Sequence, residues 1–248
     1  MKSGIVYIDE LSLIRPETTL KATLCHYYLA GTTNYDELIQ HLHIRERKDY
    51  NTLKFNKQVR SFLMGRMAAK QAVSALNNEK KLADIIIQAG IFAQPIVISS
   101  GKNIQVSITH CEDYGTAIAF PEVHPMGIDL EKIDPLKREV LAGEITAFEN
   151  KMIVSAVIQY DAGLTLLWTV KEALAKVLKT GLMTPFEVFE ISRINFCENF
   201  TICYFKNFAQ YKAISFSIGN YMCSIVHPLK TDLRIDIQTF KNHHKEYG

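Results

Sequence analysis

Two stretches of this chain overlie each other without gaps, and a repeat on this scale restricts the fold more than any other feature. Leu63-Met64-Gly65-Arg66-Met67-Ala68 matches Trp168-Thr169-Val170-Lys171-Glu172-Ala173, with Arg66 on Lys171 and Ala68 on Ala173. Upstream of each, a glycine opens a strand pattern: Gly4-Ile5 in the first half and Gly127-Ile128 in the second. Chance similarity between two amphipathic helices is the competing explanation. Taken at face value, the repeat predicts two similar halves, each with a strand and a long helix.

The rest of the pattern agrees with mixed α and β structure. Val59, Phe62, Leu63, Met67, Ala69, Val73 and Leu76 recur at three- and four-residue steps, which predicts a helix over 57–77 stopped by Asn77-Asn78. Strands are expected at 4–8, 104–109 and 115–120, the last two forming a hairpin turned at 111–114. Pro121 and Pro125 mark a boundary, giving expected halves 1–122 and 123–248. The second half is expected to run strand 126–131, helices 137–160 and 165–179, then strands 188–196, 200–206, 212–218 and 221–226. No low-complexity segment or long linker interrupts it.

Composition excludes several classes. Of 248 residues, 48% are hydrophobic and 22% charged, with 13 Phe, 11 Tyr and 1 Trp, enough to build a core. Disorder requires low hydrophobicity and high net charge, whereas this chain has a net charge of +2. That balance gives no sign of a nucleic-acid or membrane-surface partner. Cys25, Cys111, Cys197, Cys203 and Cys223 are odd in number and form no CxxC pair, so reduced thiols in a cytoplasmic protein are expected. The first residues turn acidic at Asp9-Glu10 before a signal-length apolar run develops. The most hydrophobic stretch, 85–98, is interrupted by Gln88, Gly90, Gln94 and Pro95, too short for a bilayer span.

Chemistry concentrates in two segments. In Asp129-Leu130-Glu131 the carboxylates stand two apart, on one side of a strand. Such a pair repels unless one is protonated or a cation lies between them, and hard oxygen ligands suit Mg²⁺ or Mn²⁺. A solvated strand end before Lys132 is the plainer alternative. In Trp168-Thr169-Val170-Lys171-Glu172-Ala173-Leu174-Ala175-Lys176, Glu172 and Lys176 share a helix face. They could serve a metal-bound pyrophosphate or form an ordinary surface pair. His110, beside Thr109 at a strand end, could donate to phosphate or simply sit in a turn. Arg45, Arg47, Lys48, Lys54, Lys57, Arg60, Arg66 and Lys70 make a basic run, either a solvated face or an anion site.

The order of these pieces resembles 4′-phosphopantetheinyl transferases, whose signature is G-[IV]-D-x-E, a spacer, then [FW]-[SCT]-x-K-E-[AS]-x-x-K. Gly127-Ile128-Asp129-Leu130-Glu131 and Trp168 to Lys176 meet every specified position. Gln94-Pro95 resembles the family's [GK]-[KR]-P segment at the adenine, Ile108-Thr109-His110 its [ST]-H strand, and Arg60 to Arg66 its R-x-x-x-G helix start. The resemblance spans roughly 44–182 and is to the monomeric surfactin-synthetase-activating type. Two departures stand out. Gln94 replaces a common Lys or Arg, and Lys179-Thr180-Gly181-Leu182 displaces the lysine of Gly-Lys-Gly-Leu. The first 43 residues match no motif.

The resemblance implies an α+β fold, a pseudo-dimer of two similar halves with the active site in the cleft between them. It implies transfer of phosphopantetheine from coenzyme A to a serine of an apo acyl or peptidyl carrier protein, releasing 3′,5′-ADP. Asp129, Glu131 and Glu172 would hold Mg²⁺, with Mn²⁺ the other candidate ion. Lys176 would stabilise departing charge, and Glu172 or Glu131 would take the serine proton. Arg45, Lys48, Arg60, Gln94, Pro95, Thr109, His110 and Lys176 would contact coenzyme A. The alternatives are a catalytically silent module binding coenzyme A or carrier proteins, and an unrelated metal-dependent phosphohydrolase, for which no water-activating group is found.

Overall fold

A computed structural model of the chain describes residues 4–29, 35–79, 81–98 and 103–247, apart from the side chains of Leu182 and Tyr247. It forms two compact units, one of 1–125 with 231–248 and one of 126–230. The break beside Pro125 falls close to the expected boundary. The C-terminal segment, which the sequence places with the second half, belongs to the first unit.

The first unit runs β1 (Ile5–Ile14), β2 (Thr19–Tyr28), α1 (Asp36–Gln40), α2 (Ile44–Tyr50), α3 (Asn56–Asn77), β3 (Ile86–Ala89), β4 (Pro95–Ile98), β5 (Ile104–Cys111) and β6 (Tyr114–Pro121). The second runs β7 (Gly127–Lys132), α4 (Arg138–Gly143), α5 (Ala147–Val154), α6 (Tyr160–Leu178), β8 (Ile191–Phe196), β9 (Thr201–Phe205), β10 (Tyr211–Ile218) and β11 (Tyr221–Pro228). The chain then returns through β12 (Asp232–Arg234) and α7 (Ile237–Tyr247) to the first unit. Two antiparallel five-stranded sheets, ordered β12-β1-β2-β6-β5 and β7-β11-β10-β9-β8, carry the units, and β3 pairs with β4 separately.

The expected helix over 57–77 is α3, and Asn78 ends it in the left-handed conformation at φ 57°. Such residues tolerate that conformation better than most, so the stop is local chemistry. The expected helix over 137–160 is instead broken in two. Thr146 accepts from the Glu149 backbone N–H while the Glu149 carboxylate accepts from the Thr146 N–H, a reciprocal cap that starts α5 anew. β2 is a strand that the sequence pattern does not predict, since it lies centrally and is buried over Ala22 to Tyr27 without alternation.

Each long helix lies directly on its sheet. A Cβ on Gly115 of β6 would come within 2.6 Å of the Met64 carbonyl oxygen of α3, and one on Gly127 of β7 within 2.1 Å of the Ala173 carbonyl oxygen of α6. Only glycine permits this approach of strand and helix backbone. Cys25 and Tyr27 of β2 join the apolar cluster around α3.

The units repeat each other in their internal order: β2-α3-β3-β4-β5-β6 and β7-α6-β8-β9-β10-β11. The repeated strand is therefore β2, not the Gly4-Ile5 strand. The helix overlay also shifts by one turn. Buried Lys70 of α3 pairs with buried Glu46 of α2 at 2.6 Å, and buried Lys171 of α6 pairs with buried Glu149 of α5 at 2.8 Å. Both glutamates cap their own helices, and both accept a third bond, from the backbone of Ile87 in β3 and of Ile191 in β8. Lys70, rather than Arg66, thus corresponds to Lys171.

On the face of β2 away from α3, buried His26 packs under α7. Its Nδ1 lies 2.7 Å from Thr116 Oγ1 and its Nε2 lies 3.4 Å from His244 Nδ1, and its ring meets Phe240 and Tyr114. Burial, then the neighbouring His244 and His243, pushes its pKa down to about 3. The unfolded imidazole takes its proton near 6.5, so this contribution to stability is complete above that pH and fades as pH falls toward 3. Chemical denaturation at pH 7, 6 and 5 should show a loss of ~1.4 kcal/mol per pH unit below 6.5 that His26→Gln removes. An unchanged slope in the variant would contradict the assignment.

Candidate functional site

β7 carries Asp129 and Glu131 on the face toward α6, opposite Ser224 and Met222 of β11. Ser224 is tied in turn, its hydroxyl 2.7 Å from those of both Thr169 on α6 and Ser215 on β10. Thr169 of the helix motif is therefore a packing bond that seats α6 against β11. Lys176 reaches Asp129 Oδ1 at 2.8 Å and the Ile128 carbonyl at 2.9 Å. Its expected helix partner, Glu172, is not the group it binds. Glu131 pairs with Lys137 at 2.8 Å, a contact no sequence signal marked. Trp168 stacks on Phe186 with ring centroids 4.7 Å apart and closes one side of the helix.

Burial, followed by the charge of Asp129, pushes the Glu172 carboxyl up to about 7; Lys176 opposes the shift and Glu131 adds to it. Three carboxylates therefore share a field that only added positive charge relieves. Their all-oxygen donor set suits a hard divalent cation such as Mg²⁺. Among the described residues, however, no three His, Cys, Asp or Glu side chains converge closely enough to hold a metal as they stand. Asp129 is held through Oδ1 by Lys176 and Glu131 through Oε2 by Lys137.

The register shows what the first unit carries at the same places. β6 and β11 both begin with a tyrosine after a two-residue turn, so Tyr27, opposite Gly115, corresponds to Glu131, opposite Met222. Cys25 then corresponds to Asp129, and Gln71 and Ala75 of α3 to Glu172 and Lys176. The first unit thus lacks every charged group of the second unit's cluster.

The first unit has a pocket of its own, about 430 Å³, lined by Gln58, Phe62 and Arg66 of α3 with Pro95 of β4 and His110 of β5. Pro95 and His110 were expected at a coenzyme A site, and the structure brings them together. The others lie elsewhere. Thr109 is buried within β5, paired across to Thr116. Gln94 closes the β3–β4 turn, accepting from the Phe92 N–H at 2.9 Å. Arg45 and Lys48 are exposed on α2. Arg60 is held by Asp113 at 2.7 Å and by the Leu29 carbonyl.

The raised Glu172 pKa has a measurable consequence. A carboxyl near 4.5 when unfolded and about 7 when folded stabilises the protein below 4.5, and that contribution is lost as pH rises toward 7. Allowing for its partial exposure, Glu172→Gln should gain about 1–2 kcal/mol at pH 8 and nothing at pH 4. Urea midpoints at the two pH values check this; destabilisation at pH 8 would refute it.

Residues 125–226 match the family model described as the 4′-phosphopantetheinyl transferase superfamily. The comparison with curated proteins returned no match. Among solved structures, the chain is similar to a holo-(acyl-carrier-protein) synthase from Bacillus anthracis str. Ames in complex with CoA (3′,5′-ADP), with 22% identity over 48% of this chain and 95% of that one, at a TM-score of 0.32. The matched segment contains β7, α6 and both expected signature segments, Gly127 to Glu131 and Trp168 to Lys176. The match to that family model therefore falls on the second unit, which holds both segments.

Proposed function

We propose that the protein transfers 4′-phosphopantetheine from coenzyme A to a serine of an apo acyl or peptidyl carrier protein and releases 3′,5′-ADP. The observation that carries this reading is the cluster of Asp129, Glu131, Glu172 and Lys176 on β7 and α6, within a domain of the matching superfamily. The chain would work as a monomer in the cytoplasm; no helix among the described residues is long and apolar enough to cross a membrane.

The residues divide the work by charge. Asp129, Glu131 and Glu172 would hold Mg²⁺, with Mn²⁺ the other candidate, and the ion would supply positive charge to the pyrophosphate. Lys176 leaves Asp129 for the phosphate oxygens, where it meets the charge that develops as 3′,5′-ADP departs. The serine oxygen forms a bond to the pantetheine-side phosphorus while the bond to the 3′,5′-ADP oxygen breaks. Glu172 or Glu131 would take the serine proton. Phosphoryl transfer of this kind depends mainly on positioning and charge stabilisation. The pocket of the first unit would take the phosphorylated nucleoside end of coenzyme A.

Incubation with coenzyme A, Mg²⁺ and a panel of apo carriers, followed by mass measurement of each carrier, tests the reading. A carrier heavier by one phosphopantetheine group is expected, and Asp129→Ala should reduce its rate of formation by about 10²–10³. Release of free phosphopantetheine would identify a hydrolase instead, and coenzyme A binding without either product a silent module. Wild-type turnover by Asp129→Ala would remove that residue from the site.

A further inference from the structure

Beside Asp129 the second unit holds three buried hydroxyls. Ser224 of β11 pairs directly across from Asp129, so the two side chains stand on one face of the sheet. Ser215 of β10 pairs with Ser224 in turn, and Thr169 of α6 meets Ser224 from the helix side. All three are 0% exposed. The Ser224 hydroxyl lies 2.7 Å from each of the others. Thr169 donates its one hydrogen to the Leu166 carbonyl at 3.1 Å. Ser224 therefore donates to Thr169, and Ser215 to Ser224, because each hydroxyl has a single hydrogen to give. A directed chain thus runs from Ser215 through Ser224 and Thr169 to the backbone of α6.

The first unit shows what the frame itself needs at these places. In the same register, Ala117 of β6 corresponds to Ser224, Ile108 of β5 to Ser215 and Ala68 of α3 to Thr169. None of the three has a polar side chain, yet α3 also lies directly on its sheet. Close packing of helix on sheet therefore does not require the hydroxyls. Burying a hydroxyl is unfavourable unless it is bonded, and an apolar set fills the same positions without that cost. The hydroxyl chain occurs in the copy that carries the carboxylates.

Apolar contact is non-directional and lets a helix slide on a sheet, whereas a hydrogen bond fixes distance and direction. α6 has a second polar tie to the sheet in Lys176, which holds Asp129 and the Ile128 carbonyl. In the transfer reading Lys176 leaves Asp129 for the phosphate. The Thr169–Ser224 bond, two turns earlier on the helix, stays. We propose that Ser224 is a positioning residue: through Thr169 it locks α6 along its axis, so that Glu172 and Lys176 keep their places relative to Asp129 while Lys176 is engaged with substrate. This role rests on the transfer reading.

Transfer of phosphopantetheine to an apo carrier that the wild type modifies tests it, read as kcat and KM for coenzyme A beside the thermal midpoint. The variants are Ser224→Ala, Thr169→Val, Thr169→Ser and the triple Ser215→Ala/Ser224→Ala/Thr169→Val. Ser224→Ala and Thr169→Val should each lower kcat about ten- to a hundred-fold with KM unchanged, the loss expected when reacting groups are misplaced by up to about 1 Å. Thr169→Ser keeps the hydroxyl and should keep the wild-type kcat. In the triple variant every member of the chain is apolar, as in the first unit. No donor is then stranded, so the thermal midpoint should return toward that of the wild type while kcat stays low. Hydroxyls with a merely structural role predict the opposite, a kcat that recovers with the thermal midpoint. Wild-type kcat in Thr169→Val or in the triple variant overturns the inference, as does a Thr169→Ser enzyme as impaired as Thr169→Val. If the triple variant does not fold, the two Thr169 variants decide. Each of these failures leaves the transfer reading standing, because the wild type still modifies the carrier. A wild type that modifies no carrier overturns that reading and this role with it.

Discussion

The buried Lys171–Glu149 ion pair is the contact on which the second unit's arrangement depends. Both partners are fully buried. Glu149 uses its oxygens on Lys171, on the Thr146 N–H that begins α5 and on the Ile191 N–H that begins β8. One carboxylate thus ties together two helices and a strand. Loss of either partner would leave an uncompensated buried charge, a change that typically costs about 3–5 kcal/mol. With Lys171 turned inward, the rotation of α6 is set. Glu172, one residue on, then comes into the field of Asp129, and Lys176 reaches that carboxylate.

The first unit contains the same device in Glu46 and Lys70, with the same helix cap and the same strand contact. The duplicated element is therefore the scaffold. Chemistry was placed on one copy only: Asp129, Glu131, Glu172 and Lys176 stand where the other copy has Cys25, Tyr27, Gln71 and Ala75.

The parts legible in the sequence are those with local causes. The α3 stop at Asn78 follows from a residue tolerant of positive φ, and the β5–β6 hairpin from its alternation. The order of the carboxylates and Lys176 marks the second unit's cluster without any structure. Misplacing the repeat by one turn has an equally physical origin. Apolar periodicity recurs every three or four residues, so two amphipathic helices overlay almost as well when slipped by four. Only the buried partners Glu46 and Glu149 resolve the register, and they lie outside the helices compared. The break between α4 and α5 was visible in Thr146-Ala147-Phe148-Glu149, a capping signal masked by continuing apolar spacing. Arg60 stands at a motif position, but no local pattern reveals that Asp113 and Leu29 occupy it.

Manganese binding followed by electron paramagnetic resonance, in the presence of coenzyme A, tests most directly whether the reactive chemistry resides in the second unit alone. The account predicts one bound Mn²⁺ per chain, lost in Asp129→Asn and retained in Gln71→Ala. Two ions per chain, or one that survives Asp129→Asn and disappears in Gln71→Ala, would contradict it.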